Sequence, residues 1–342
     1  MLALFTSAVA GYSAAIAAPI KGPGKAPDPT ATAAQAGLQS RLKEFARRAK
    51  PGQLGIAVFD SASGNSWGVD ADVPFIMMSM FKSPVSAAVL SRVDTGELAL
   101  DQVVTLTPAD VVPGSAVPSV GDQLAAGKTR FTIRELLTGA VSQSDSTAVD
   151  AMIKLLGGPQ LVTAYLRDHG IEGMHVDTDE RDIGRVADHL QPGQPFPAHE
   201  TRAQQAAREK LGYAAALADP RNRSTPRAAV DYLRKLAGGE LLSPESTGLL
   251  IDLMRKQTIP ARLRGGVPAG ADFAGKTGTG TTVGGRTVAW NDIGIITLPG
   301  GRRVFVAAYL RDTPMPDAKR DALFADIARA VTAPVAARKA MQ

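Results

Sequence analysis

At 342 residues, with 44% apolar and 21% charged side chains, the chain has the balance of a folded globular protein and not of a disordered one. Its net charge of +5 is scattered as single Arg and Lys residues instead of gathered in a block, which argues against a nucleic-acid partner. Cysteine is absent, which excludes disulfides, thiolate metal sites and cysteine nucleophiles together.

Met1 to Ala18 is apolar, rich in small residues and ends in Ala15-Ile-Ala-Ala18, the profile of a secretory signal, although no basic residue precedes it. Thr6, Ser7, Gly11 and Ser13 argue against a stable transmembrane helix there, so cleavage near Ala17 or Ala18 and a secreted or periplasmic product are expected. Residues 19–34 read as a Pro/Gly/Ala-rich linker to one domain over 35–335. Leu38, Leu42, Phe45 and Ala46 recur at helical spacing. Gly55-Ile-Ala-Val-Phe-Asp60, a turn at 61–65 and Ser66-Trp-Gly-Val69 then predict a β-hairpin.

Helical signals dominate from Phe81 to about Lys256. Thr132-Ile-Arg-Glu135 is a capping box, and Thr225-Pro226 and Ser243-Pro244 each place a cap before proline at the first helical position. Asp272 to Thr277, Thr287 to Leu298 and Arg303 to Leu310 predict three strands, the last two joined at Pro299-Gly-Gly301, and Ala318 to Val331 a closing helix. This order predicts an α/β fold: a mostly antiparallel sheet formed from both chain ends and flanked by helices, plus an inserted all-helical lobe. The sheet lobe is expected at about 35–72 and 258–335, the helical lobe at about 73–257, with a site in the cleft between them.

Four catalytic patterns compete. Gly64-Asn-Ser66-Trp-Gly68 fits a G-x-S-x-G nucleophile elbow, but the residues after it begin no helix. Gly270 to Thr277 fits a P-loop, yet neither the preceding strand nor the following helix that a phosphate cradle needs is present. S-x-x-K occurs at Ser40–Lys43, on a polar helix surface, and at Ser79–Lys82, before the apolar stripe of Val85, Ala88, Val89 and Val93. The second copy places an amine one helical turn from a hydroxyl, where partial burial suits it to take the serine proton. Pro84, just after the pair, conflicts with helix rules. Ser144-Asp-Ser146 reads on its own as an N-cap cluster, and Lys276-Thr-Gly-Thr-Gly280 offers hydroxyls and an ammonium on a glycine-rich strand that a ligand can approach.

Taken together, Ser79-x-x-Lys82, Ser144-Asp-x and Lys276-Thr-Gly, in that order over about Leu38 to Val331, resemble the penicillin-recognising serine enzymes. Glu180, after Tyr165-Leu-Arg-Asp-His-Gly170, falls where the class A β-lactamases carry the glutamate that activates the hydrolytic water. The resemblance implies hydrolysis of β-lactams through an acyl-enzyme on Ser79, with Lys82 or Glu180 as the acylating base, Ser144 relaying a proton, and Glu180 driving deacylation. It also implies an oxyanion hole from the N–H groups of Ser79 and Thr279, and a substrate-binding set of Ser146, Lys276, Thr277, Gly278 and Thr279 with Arg262 or Arg320, Arg262 ranked first. The alternative within the resemblance is a D-Ala-D-Ala peptidase or a penicillin-binding protein that acylates and deacylates slowly.

The chain departs from the class A pattern at several places. Gly184 stands where an Asn is usual, Ser146 where the Ser144 motif has Asn, and Thr178 and Asn222 where an Arg–Asp bridge closes a loop. The 185–221 stretch is expanded, with a helix predicted over Glu200 to Ala216, and 110–127 is a second long loop; the closest resemblance is to the subgroup with expanded loops around the site. No organic cofactor is implied, and His169, His175, His189 and His199 form no ligand pair at helical spacing, so no metal is expected. The expected partner is a small-molecule β-lactam, bound by a monomer without stable membrane insertion.

Overall fold

Strands from the two ends of the chain meet in one antiparallel sheet. The computed structural model describes residues 29–333 except 192, 260 and 261, so the predicted signal segment lies outside the described residues. Helix α1 (Pro29–Arg48) leads into β1 (Gln53–Asp60) and β2 (Ser66–Val69), and the chain returns as β7 (Asp272–Thr279), the short β8 (Thr282–Val283), β9 (Arg286–Thr297), β10 (Arg303–Thr313) and α11 (Asp317–Thr332). The order across the sheet is β2-β1-β10-β9-β7, with β8 paired to β9. Helical structure thus begins at Pro29, inside the stretch read as a linker, because the Ala-rich run from Ala31 favours helix and Pro29 suits its first position.

Period-two alternation on the central strands splits the core. Val304, Val306, Ala308 and Leu310 pack with Leu42, Phe45, Phe324 and Ile327 of α1 and α11, whereas Phe305, Ala307 and Tyr309 face the core of the helical lobe. That lobe holds β3 (Phe75–Ile76), α2 (Lys82–Asp94), β4 (Val103–Thr105), α3 (Ser119–Ala125), β5 (Arg130–Thr132), α4 (Ile133–Ser142), α5 (Ser146–Leu156), α6 (Gln160–Asp168), α7 (Glu180–Ala187), α8 (Arg202–Ala218), β6 (Arg223–Ser224), α9 (Pro226–Gly238) and α10 (Pro244–Arg255). Its caps follow the sequence: Thr132 and Glu135 form the reciprocal box, and Thr225 and Ser243 accept from Ala228 and Ser246.

The expanded segment is α7, a loop and α8. Helix α8 starts two residues later than expected because Thr201, boxed with Gln204, is the true cap. Gly212 lets α8 lie on the end of α7, since a Cβ there would stand 2.0 Å from the Ala187 carbonyl oxygen. Tyr213, Ala216 and Leu217 then pack on Ile76, Met78, Val288 and Ala289, wedging the insertion against the sheet beside the 75–81 segment. The competing motifs dissolve here: Ser66 sits exposed on an edge strand, Gly275 to Thr277 lie inside β7, and Ser40 and Lys43 are exposed on α1.

Candidate active site

Ser79 sits in a 3-10 turn, Met78–Phe81, immediately before α2, so Ser79 and Lys82 belong to two consecutive local structures instead of one helix. Met78 is held in the left-handed region (φ 49°), a costly conformation for a non-glycine residue directly before the hydroxyl. Pro84 is the third residue of α2, within the first turn, where proline is tolerated.

Lys82 is fully buried and its ammonium is shared among three acceptors: the Ser144 carbonyl (2.7 Å), Ser146 Oγ (3.3 Å) and Glu180 Oε1 (2.9 Å). Three acceptors use all three N–H bonds of an ammonium. The Ser79 hydroxyl donates instead to Glu180 Oε1 at 3.2 Å. The carboxylate therefore stands between the two residues that the sequence placed in direct contact.

Ser144 is also left-handed (φ 59°), while Asp145 beside it is the N-cap of α5 and accepts from Ala148. The cap explains Asp145, and the strained Ser144 does something else: its carbonyl meets Lys82 and its Oγ accepts from Lys276 Nζ at 2.9 Å. Lys276 is fully buried and its pKa is held well below the ordinary lysine value, first by burial and then by the charge of Lys82. Ser146 faces Lys82, and its N–H is capped by Ser115 from the 110–127 loop, which Asp145 anchors through the N–H groups of Val120 and Gly121.

Strand β7 forms the opposite wall. It is an edge strand, and Gly280 points its N–H inward to Ala289 at 2.8 Å, so alternate residues point outward. Thr277 does so, its N–H and hydroxyl both meeting Gln257 Oε1 at 2.8 Å, and by the same alternation the Thr279 N–H leaves that edge. Gly278 serves the approach of the backbone itself, since a Cβ there would lie 2.2 Å from the Met77 carbonyl oxygen. A cavity of about 310 Å³ lies between the walls, lined by Ser79, Ser144, Thr277, Thr279, Gly280 and Thr281 among others.

Arg262 and Arg320 separate clearly. Arg262 donates to the carbonyls of Gly278 (2.8 Å) and Asn291 (2.5 Å) and to Thr279 Oγ1 (2.6 Å), which ties its charge to the cleft wall; burial lowers its pKa to about 10. Its guanidinium carbon lies 3.7 Å from the Trp290 ring centroid, and that of Arg320 lies 4.1 Å from the same centroid. Two guanidinium groups so close to one ring must take opposite faces. Arg320 is bonded to Asp317 and, among the described residues, touches none of the other candidates. Asp292, buried beside Lys276 and Arg262, has its pKa raised to about 6 by burial.

Glu180 is the first residue of α7, and the start of that helix is tied down by a residue the sequence reading missed. Asp150 of α5 accepts the N–H of Glu180 at 2.8 Å and of Arg181 at 3.0 Å, while Asp179 accepts that of Asp182. Burial, and then the charge of Asp179, push the Asp150 carboxyl up to about 8. The only signal in the sequence was position: Asp150 follows Ser146 by four residues, on the same face of α5. The loop before Glu180 is closed by Asn222 (φ 48°), whose amide oxygen accepts from Asp177 and Thr178 (2.7 and 3.1 Å) and whose NH₂ donates to the Thr178 carbonyl at 2.9 Å. Neutral amide bonds thus take the place of an ion pair.

The sequence pattern of the β-lactamase enzyme family matches residues 37–335. The chain belongs to the β-lactamase enzyme family. It is 30% identical to the extended-spectrum β-lactamase PER-1 of Pseudomonas aeruginosa over 87% of each chain, and 34% identical to a β-lactamase of Amycolatopsis lactamdurans over 90% of this chain and 89% of that one. Among solved structures, a β-lactamase from Chitinophaga pinensis aligns with a TM-score of 0.72 at 30% identity, covering 86% of this chain and 97% of that one. An ancestral class A β-lactamase aligns at 0.70 with 33% identity, over 86% and 98%. The chain is thus a β-lactamase of the class A kind, a serine hydrolase acting on the β-lactam amide, with the α/β fold expected from its sequence.

Proposed function

We propose that this β-lactamase acylates on Ser79 and deacylates by a water activated by Glu180, with Glu180 as the base in both halves of the reaction. The hydrogen bond from Ser79 to Glu180 Oε1 carries the assignment: the carboxylate already accepts the proton that the nucleophile must lose, while the Lys82 N–H bonds are directed elsewhere. Lys82 holds Glu180 and Ser144 in register and stabilises the carboxylate.

As Ser79 Oγ attacks the lactam carbonyl, the oxyanion meets the N–H groups of Ser79 and Thr279. The C–N bond breaks, the ring nitrogen takes a proton from Ser144, whose Oγ already accepts from Lys276 and so leaves its own O–H free to donate, and the proton that Glu180 took from Ser79 passes back to the Ser144 oxygen, which leaves Glu180 ionised for the second half. Thr277 and Thr279, with the charges of Lys276 and Arg262 behind them, hold the substrate carboxylate. Glu180 then takes a proton from water, the water oxygen attacks the ester carbon, and Ser79 leaves with its proton restored. Among the described residues no helix is long and apolar enough to cross a membrane, and the composition of residues 1–18 supports export and cleavage.

The test is turnover of a chromogenic cephalosporin by the purified chain. Sustained turnover is expected for the protein itself, and a covalent adduct on Ser79, seen by mass spectrometry, for Glu180→Ala. A single stoichiometric burst from the unmutated chain would mark a slow penicillin-binding protein instead, and turnover by Ser79→Ala would end the proposal.

A further inference from the structure

The inserted helix α8 sits where the nucleophile turn, the helix of the proposed base and the sheet come together outside the cleft. Its Ala216 is buried with Ile76, Val288 and Ala289 in a small apolar core, separate from the two large ones. Four half-buried side chains pack against that core: Tyr213 and Leu217 of α8, Val186 of α7, and Met78, which directly precedes Ser79. Val186 lies on the helix that begins at Glu180. One patch of packing therefore joins the segments that carry Ser79 and Glu180, whose side chains meet at 3.2 Å.

Two neighbouring residues fix α8 on opposite sides. Gly212 lays its backbone on the end of α7, where a Cβ would meet the Ala187 carbonyl oxygen, and Arg208 donates to the Asp188 carbonyl at 2.9 Å. Tyr213, next in the chain, donates its hydroxyl to Asp312 Oδ1 of β10 at 2.5 Å, and Arg286 of β9 donates its Nε–H to the same oxygen at 2.8 Å. Asp312 is in left-handed backbone (φ 50°), and Arg286 also donates to its carbonyl at 2.9 Å. Burial, and then the bond to Asp312, push the Tyr213 phenol up to about 12, so it keeps its proton across the neutral range. At the far end, buried Arg223 donates to the Leu217 carbonyl at 2.9 Å, a cation at the C-terminal end of α8.

We propose that α8 is a strut that sets the distance between Ser79 and Glu180 from outside the cleft, with Tyr213 as its positioning residue. The proposal rests on the reading of Glu180 as the base for Ser79. Met78, at φ 49°, holds a conformation that persists only where its surroundings over-determine it, and the core beneath α8 supplies those surroundings. Asp150 fixes the first residues of α7, while α8 fixes the other end through Val186 and Ala187. Tyr213 is not among the residues that line the cleft, so its effect on the reaction runs through Met78 and α7.

The test breaks the latch from each side in the full-length chain. Tyr213→Phe keeps the ring and loses the hydroxyl, Asp312→Gly keeps the left-handed backbone and loses the carboxylate, and Tyr213→Ala removes latch and packing together. Stopped-flow mixing with a chromogenic cephalosporin separates the substrate dissociation constant, the acylation rate and the release rate. Tyr213→Ala is expected to slow acylation and release by at least about tenfold each at an unchanged dissociation constant, within the roughly 10²-fold that a misplacement of about 1 Å costs. Tyr213→Phe and Asp312→Gly should slow both steps by smaller factors, and the double variant should be no slower than Asp312→Gly alone, because both remove one bond. Phe324→Leu, in the core under α11, lowers stability away from the site and should leave both rates unchanged. Unchanged rates in Tyr213→Phe and Asp312→Gly, or equal slowing by Phe324→Leu, would overturn the proposal. Acylation of Glu180→Ala at the unmutated rate would instead overturn the reading of Glu180 as the acylating base, with the strut still upheld or refuted by the release rates of the latch variants.

Discussion

Asp150 makes the stability of this enzyme depend on pH in a way that one substitution removes. Its carboxyl is raised from 3.8 to about 8 in the folded chain. Between those values the native state keeps a proton that the unfolded state releases, so stability falls as pH rises through the window and is level below and above it. From pH 5 to pH 8 the group spans about three pKa units at about 1.4 kcal/mol each, an upper limit of about 4 kcal/mol. Asp150→Asn has no such proton to lose. It retains one acceptor oxygen for the N–H groups of Glu180 and Arg181 and loses the other, a lost cap of about 1 kcal/mol.

The assay is urea unfolding of both proteins at pH 5, 6, 7 and 8, read as the difference between them, which cancels the groups they share. The unmutated chain is expected to lose stability relative to the variant, steadily with pH and by kilocalories in total. Deacylation of Asp150→Asn should also slow, because Glu180 is the first residue of the helix that Asp150 caps. Parallel stability curves across the window would refute the reasoning.

Other consequences follow from the same geometry. Gly278→Ala drives a methyl toward the Met77 carbonyl oxygen, so β7 must part from the nucleophile turn; acylation should fall by orders of magnitude, with retained circular dichroism as the check. Asn222→Ala removes the amide clamp and puts a poorly suited residue in left-handed backbone, which should cost about 2–4 kcal/mol in chemical denaturation and slow deacylation more than acylation. Trp290→Ala frees Arg262 from its stack, so KM for carboxylate-bearing β-lactams should rise severalfold with little change in kcat, and Trp290→Phe should largely restore it. Because the pKa of Lys276 is depressed below 10.5, its charge is lost early on the alkaline side, and KM should climb with pH for a β-lactam acid but not for its methyl ester.

Much of the fold was legible because its signals are local. A cap and its acceptor are three residues apart, helix and strand periods repeat within a window, and the 132–135 box, the proline-led helices and the terminal strands all formed as the sequence implied. The two-residue strands β3 and β6 were not legible, since such a short pair carries no period and exists only because residues 75–76 meet 223–224.

The sequence by itself named the chemical groups: a serine, two lysines, a second serine and a glutamate in the order of a known family. It placed Lys82 against Ser79 because spacing along a chain reports only local geometry. Tertiary structure decided that Glu180, 101 residues away, is the group that touches the nucleophile, that Arg262 and not Arg320 reaches Thr279, and that Gly278 admits a backbone carbonyl. It also decided that Asp150 anchors the helix that carries Glu180. Each of these depends on how the two lobes and the insertion dock, which is set by packing between residues far apart in the chain.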